Sequence, residues 1–504
     1  MRSLCFHHKP GLSRLFGVCV LAVLMASTSA CSDTEVPQPD PAEARPGGDA
    51  TTSIIPFPAL DKVTPNLPDD ERPQFYAGRA LAHQPWVKAP TITDARDGLG
   101  PIYNARGCLA CHIRGGKSRM PDDSETPLFG PLVRMSVVLD DAAAMTAAAN
   151  SHAGVIPDPV YGDQLQTQSI ALLHQLRQAS PVAIAEQQQV APEAYAYVKW
   201  HEQAFVYPDG RQITLRKPEL DLRYVAYGEF DAATRFSLRN APPIHGMGLL
   251  ELIPQADLEA LADPDDADGD GISGRQNRVW DARSQRWQAG RFGHKANRSN
   301  MDMIVASAFA NDIGISNPLF PFQPCTEQQP LCQKQRNGNN SQGLELPDNL
   351  LRLVTNFTRN LGVPTRRNVD NADVRKGRPF FYTSGCAACH QPGYTTTASS
   401  AQPHLGNQRI WPYTDLLLHD MGPELADGRP DFAASGSEWR TAPLWGIGLM
   451  GQVNGSKQYL HDGRARSIEE AILWHGGEAL AARQRFTHLS AAERRYLIQF
   501  VESL

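Results

Sequence analysis

Apolar residues recur at helical spacing in the final segment, where Tyr496, Leu497, Phe500, Val501 and Leu504 form one stripe. Ser490-Ala491-Ala492-Glu493 precedes them with the pattern of a capping box, so the chain is predicted to end on an amphipathic helix. A shorter helix is expected from about Ile468, capped by Ser467 with Glu470 and closed by Gly476-Gly477. The period changes between Tyr197 and Val206 and between Gln212 and Leu215, where β-formers flank the turn Tyr207-Pro208-Asp209-Gly210; these segments predict a small hairpin. The apolar run from Leu15 to Met25 follows Arg2, Lys9 and Arg14 and leads through small residues to Ala30, which reads as an export leader over 1–30 rather than a membrane span. Ala26 to Cys31 resembles a bacterial lipoprotein cleavage site with Thr28 in place of the usual Leu, leaving a lipid anchor on Cys31 or ordinary cleavage near Ala30. Residues 31–75 are rich in Pro, Gly, Asp and Glu without periodicity and read as a disordered tether.

The 504 residues carry a formal net charge of −6, which excludes a strongly basic nucleic-acid binder, and 8% aromatic residues suit a globular chain. Nine cysteines sharpen the picture. Four fall in Cys108-Leu109-Ala110-Cys111-His112 and Cys386-Ala387-Ala388-Cys389-His390, each offering two thiols and an adjacent imidazole. That pattern predicts two covalently bound c-type haems, with His112 and His390 on iron; a redox pair or half a zinc site leaves the adjacent histidines unexplained. Cys325 and Cys332 flank a short polar loop and can close a disulfide or stay reduced.

Two repeated pairings organise the rest. Pro101-Ile102-Tyr103 and Pro379-Phe380-Phe381 precede the two motifs at the same offset, and Arg239 to Leu249 matches Arg440 to Leu449 with one gap. The expectation is a mainly α chain of two cytochrome c-like haem domains in tandem, residues 76–355 and 356–504, with long loops and the hairpin as an insertion in the first. Asp266, Asp268 and Asp270 alternate, with Gly271 for a turn and Asn277 near the closing position, as in a calcium loop lacking the terminal Glu; calcium is the expected occupant, and a solvated acidic turn without metal is the alternative.

Three long stretches, Ala262 to Gly274, Pro412 to Gly422 and Leu460 to Gly477, resemble the di-haem oxidoreductase family of peroxidase-like proteins, related to bacterial di-haem cytochrome c peroxidases and MauG-type enzymes. The family usually carries Trp where this chain has His294. In related peroxidases the segment after His-Asp-Gly supplies a distal Met, and the resemblance places His475 there, which implies a bis-histidine, low-potential second haem acting as electron relay. His419 and His461 are expected to line pockets. The first half has no evident counterpart of His475; His152, His174, His201, Met120 and Met135 are alternatives to an open iron. His245 and Glu251, in the repeated pocket loop, are the candidate acid–base groups for peroxide, or else a propionate neighbour and a helix residue. The implied activity is peroxidase chemistry in an exported, bacterial periplasmic protein fed by a small cytochrome c or cupredoxin; the alternatives are electron transfer alone, or oxidation of a partner protein.

Overall fold

The computed structural model of the protein describes residues 36–53, 59–92, 96–173, 180–335, 338–339 and 343–504. The leader, Cys31 and His174 lie outside the described residues. Eight helices carry the argument: α1 (Arg72–His83), α2 (Cys108–Cys111), α3 (Met247–Glu251), α4 (Met301–Asp312), α5 (Asp348–Arg359), α6 (Ala372–Thr383), α7 (Ile468–Trp474) and α8 (Ala491–Ser503). Strands used below are β1 (Thr51–Thr52), β2 (Leu132–Val137), β3 (Tyr195–Val206), β4 (Gln212–Arg223), β5 (Thr234–Arg239), β6 (Val363–Pro364), β7 (Leu418–Asp420) and β8 (Glu438–Arg440).

Two helix pairs repeat. α1 buries Phe75, Gly78, Leu81 and Ala82 against α5, and α6 buries Val374, Gly377 and Phe381 against α8. Each pair closes on a glycine: a Cβ on Gly78 would lie 1.9 Å from Leu353 O, and one on Gly377 1.9 Å from Tyr496 O. An arginine follows each glycine and reaches back to an N-terminal carboxylate, Arg79 to Asp61 at 3.1 Å and Arg378 to Glu43 at 3.1 Å. The capping box of α8 forms as predicted, and Ser467 caps α7 by accepting from Glu470 N at 3.0 Å. The Arg239 and Arg440 loops are also a spatial pair, with Gly246 (φ 71°) and Gly446 (φ 73°) at equivalent turns. Pro101-Ile102-Tyr103 is not part of this repeat. Its Ile102 and Tyr103 pair with Ser169 and Gln168 as a strand, whereas Pro379 to Phe381 lie inside α6.

The mainly α expectation with tandem domains is overturned. Helix occupies 31% and strand 17% of the chain. Residues Val36–Leu504 form one compact unit, and the expected boundary at 355/356 falls inside α5. Every sheet among the described residues is two-stranded. The hairpin is much longer than predicted, running in register from Tyr195↔Arg223 to Val206↔Gln212. Its second strand was obscured by charges and by Pro218, which a two-stranded ribbon tolerates because a strand there has a free edge. β2 and β5 form a second antiparallel ribbon. Residues 36–52, expected within the tether, are folded: β1 pairs with β6, and buried Glu43 accepts from Arg366 at 2.8 Å as well as from Arg378. Cys325 and Cys332 are joined as a disulfide. Among the described residues no helix is long and apolar enough to cross a membrane.

Candidate functional site

α2 presents the first motif directly after Gly107, and His112 follows at its C-terminal end. His112 Nδ1 lies 2.7 Å from Pro242 O; a carbonyl can only accept, so Nδ1 carries the proton and Nε2 keeps its lone pair for a metal. The second motif repeats the device, with His390 Nδ1 donating to Tyr413 O at 3.0 Å. Burial holds the His390 pKa down to about 4, so the ring is neutral at physiological pH. Burial pushes the Cys108 and Cys386 thiols up to about 12, and Cys111 is raised for the same reason. None of the four is in a disulfide, and each pair is followed directly by an imidazole whose Nε2 is free. The donor sets therefore suit thioether attachment with axial imidazole.

His475 caps the C-terminus of α7, its Nδ1 donating to Ala471 O at 2.7 Å. Its Nε2 is thus the donor-ready atom, and its charge is among the influences opposing protonation of His390. α4 is the counterpart of α7 in the first half. Both follow a left-handed glycine (Gly293, Gly463) and a fully buried alanine (Ala296, Ala465), and both start at a side-chain cap, Asn300 or Ser467. α4 ends not on a histidine but on Asp312, whose charge acts on both Cys108 and Cys111. Asp312 is half-buried, its side chain keeping 22% of its accessible surface. Burial raises its pKa against the opposing influence of Arg134 and a 2.9 Å hydrogen bond from Gln164 Nε2. Beside Pro242, buried Asn240 Nδ2 makes no hydrogen bond within the protein, and neither does Arg298 Nε. Unpaired buried donors of this kind fit the carboxylates of a porphyrin. A family model described as "Di-haem oxidoreductase, putative peroxidase" matches residues 44–504. The chain belongs to this family. Membership brings two haems and oxidoreductase chemistry; no curated protein and no solved structure matches the chain.

In this di-haem oxidoreductase the other expected site residues are placed differently. Glu251 is tied to Arg359 Nε at 2.6 Å and accepts from Met301 N at 2.9 Å, joining α3 to α5 and α4. His245 is buried with Nε2 donating to Trp445 O at 3.1 Å, and burial lowers its pKa to about 4; it packs against the second half's pocket loop. Asn277 is held elsewhere by three hydrogen bonds, its amide donating to Lys295 O and Asp431 O and its Oδ1 accepting from Ala433 N. In the acidic loop the carboxylates that converge are Asp263, Asp266 and Asp268, with ligand atoms within 4.8 Å of one another, while Asp270 caps Ile272 N. Met120 and Met135 are core residues, His152 stacks on Trp280 at 3.9 Å, and His201 pairs with Glu219 on the surface. His461 stacks on Trp439 at 3.7 Å. His419 is clamped between Asp415 at 2.8 Å and Glu478 at 2.7 Å, 3.7 Å from Cys389 Sγ. His294, in the usual Trp position, donates to Asn240 O at 3.1 Å. Asp312 was missed because no motif surrounds it; the recurring Gly…Ala…cap pattern before α4 and α7 was the available signal.

Proposed function

We propose that this di-haem oxidoreductase is an exported c-type peroxidase in which the second haem relays electrons and the first meets peroxide. The observation that carries this reading is the asymmetry between matching helices, since α7 is closed by His475, whose charge is felt at His390, and α4 ends on Asp312, whose charge is felt at Cys108 and Cys111. Cys108, Cys111 and His112 would hold one haem, and Cys386, Cys389, His390 and His475 the other. Bound haem supplies iron that exchanges electrons and, where an axial position is open, takes the oxidant. Two imidazoles close the second site and favour electron relay.

Reduction of hydrogen peroxide to two waters consumes two electrons and two protons, so an external electron donor is required; a small periplasmic cytochrome or cupredoxin fits. Asp312 is the group proposed to move a proton from the near peroxide oxygen to the far one. Gln164 and Arg134 orient it. The leader and the Cys325–Cys332 disulfide support an oxidising compartment, with a lipid anchor on Cys31 included in the proposal. The acidic loop is kept as a candidate calcium site on the convergence of Asp263, Asp266 and Asp268.

The test is the ferric spectrum of the purified protein and of His475→Ala. One low-spin and one high-spin or water-ligated haem are expected, with the low-spin signal lost in the variant. Two low-spin haems together with no reaction with peroxide, even after one-electron reduction, would point instead to electron transfer alone.

A further inference from the structure

The long β3–β4 hairpin belongs to the first half, but its tip lands on the second. Tyr207 Oη donates to Glu469 Oε1 at 2.8 Å, and Arg211 donates to both oxygens of the same carboxylate, Nη2 reaching Oε2 at 2.9 Å. Asp209 pairs with Arg494 of α8, whose guanidinium lies 4.2 Å from the centre of the Tyr207 ring. Farther along β4, Thr214 O accepts from Arg466 at 2.6 Å and Arg216 Nε donates to Arg464 O at 3.2 Å. Tyr207 and Leu215 are buried in the apolar cluster that contains Leu473 and Trp474. Three points on one short stretch, Arg464, Arg466 and Glu469, are therefore held by the hairpin.

That stretch leads into α7, which is only seven residues long. A helix this short is not stable on its own, so contacts outside it must fix its position. His475 lies six positions after Glu469, about 9 Å along the axis at the helical rise, so movement at the start of α7 is carried to the histidine. Burial raises the Glu469 pKa, but the Arg211 and Tyr207 hydrogen bonds overcome it and keep the carboxyl below its ordinary value, in the ionised form the clamp needs.

We propose that Tyr207 and Arg211 are positioning residues for His475: the hairpin of the first half clamps the start of the ligand helix and thereby holds the imidazole on the second haem. The proposal rests on His475 being the sixth ligand. It gives the insertion a task, since the ligation of one haem depends on a segment contributed by the half that carries the other.

The test uses the full-length holoprotein with cyanide as probe, because cyanide can enter the second haem only when His475 leaves. Tyr207→Phe and Arg211→Gln should tighten apparent cyanide binding at the low-spin haem several-fold, on the order of three- to tenfold given the half-exposed arginine. Arg211→Lys should recover part of the wild-type resistance. Lys217→Gln, which removes the hairpin's ion pair with Glu424 away from α7, should leave cyanide binding unchanged. Wild-type resistance in Tyr207→Phe and Arg211→Gln, alongside ready binding in His475→Ala, would overturn the clamp and leave the ligand assignment standing. An equal shift in Lys217→Gln would overturn it as general loosening. A His475→Ala protein that stays low-spin and resistant would remove the ligand assignment, and the clamp with it.

Discussion

Gly377→Ala sets two known effects against each other at the α6–α8 crossing. In an unhindered helix, alanine for glycine gains about 1 kcal/mol in propensity. Here the new Cβ would sit 1.9 Å from Tyr496 O, 2.5 Å from Tyr496 C and 2.8 Å from Phe500 Cβ. Real Cβ atoms essentially never approach within 3.0 Å, so the helices must part by at least about 1 Å. The blocking atoms are backbone, and no rotamer change relieves them. Overpacking costs about 1–3 kcal/mol and occasionally more; a backbone clash belongs at the upper end, leaving a net loss of roughly 2 kcal/mol. At about 2.1 cal/mol/K per residue, one unit spanning Val36–Leu504 shifts by roughly 1 °C per kcal/mol, so the melting temperature should fall by about 2 °C. Gly78→Ala should do the same through Leu353 O. Calorimetry of the holoprotein, with haem content by pyridine haemochrome, is the assay. A Gly377→Ala protein melting at or above wild type would refute the close crossing, and with it the helix-pair repeat.

Asp312→Asn should slow peroxide-dependent donor oxidation on the order of a hundredfold without changing haem content. Because burial raises its folded pKa, ionised Asp312 costs stability at neutral pH; the variant should melt higher than wild type at pH 7, with the gap closing as pH falls toward about 4, and a pH-independent gap would contradict the buried carboxyl. His419 works in the opposite sense: burial alone would lower its pKa, but hydrogen bonds to Asp415, Cys389 and Glu478 raise it to about 12. Its stabilisation is fully present below about pH 6.5 and fades as pH rises toward 12, so His419→Gln should cost about 3–5 kcal/mol near neutrality and less by pH 10, measured by denaturant titration. Chelation should lower the melting temperature if the acidic loop holds calcium, with Asp266→Asn reproducing the loss; identical melting with and without chelator, and no calcium in metal analysis, would leave the loop a turn.

What could be read from the chain was local. The capping box of α8, the Ser467 cap and the turn at 207–210 each depend on residues within a few positions of one another, and each is found as expected. What failed was long-range. The true partner of α6 is α1, recognisable from Gly78-Arg79 against Gly377-Arg378, but the first motif begins well beyond the end of α1 at His83, and the nearer Pro-x-x resemblance misled. Glu43 sits in a segment of tether-like composition, and nothing local discloses that Arg366 and Arg378 neutralise it. Glu251 looked available because its partner Arg359 is distant in sequence. Asp312 has no neighbouring motif at all; its meaning comes from where α4 ends in space.

The same long-range contacts explain why tandem domains do not form. The site of a Cβ on Gly246 is taken by Trp445, 2.4 Å away, and that on Gly446 by His245 Nε2, 2.9 Å away, so the two pocket loops interlock reciprocally. Beside them Lys295 of the first half bonds Asp427 of the second at 2.9 Å, and Arg239 lies 3.6 Å from both Asp427 and Asp431. Against burial, Arg429, Arg239 and Arg298 hold Asp431 well below the ordinary carboxylate range. Cutting the chain between the halves would leave Asp427 without Lys295 and Arg239, and stranding a buried charge costs about 3–5 kcal/mol for each broken pair. Neither half can therefore be moved against the other without exposing or orphaning these groups. The proposed relay needs a fixed separation between the two haems, and the interlocked loops, the shared ion network and the hairpin on α7 all act to fix the halves against each other.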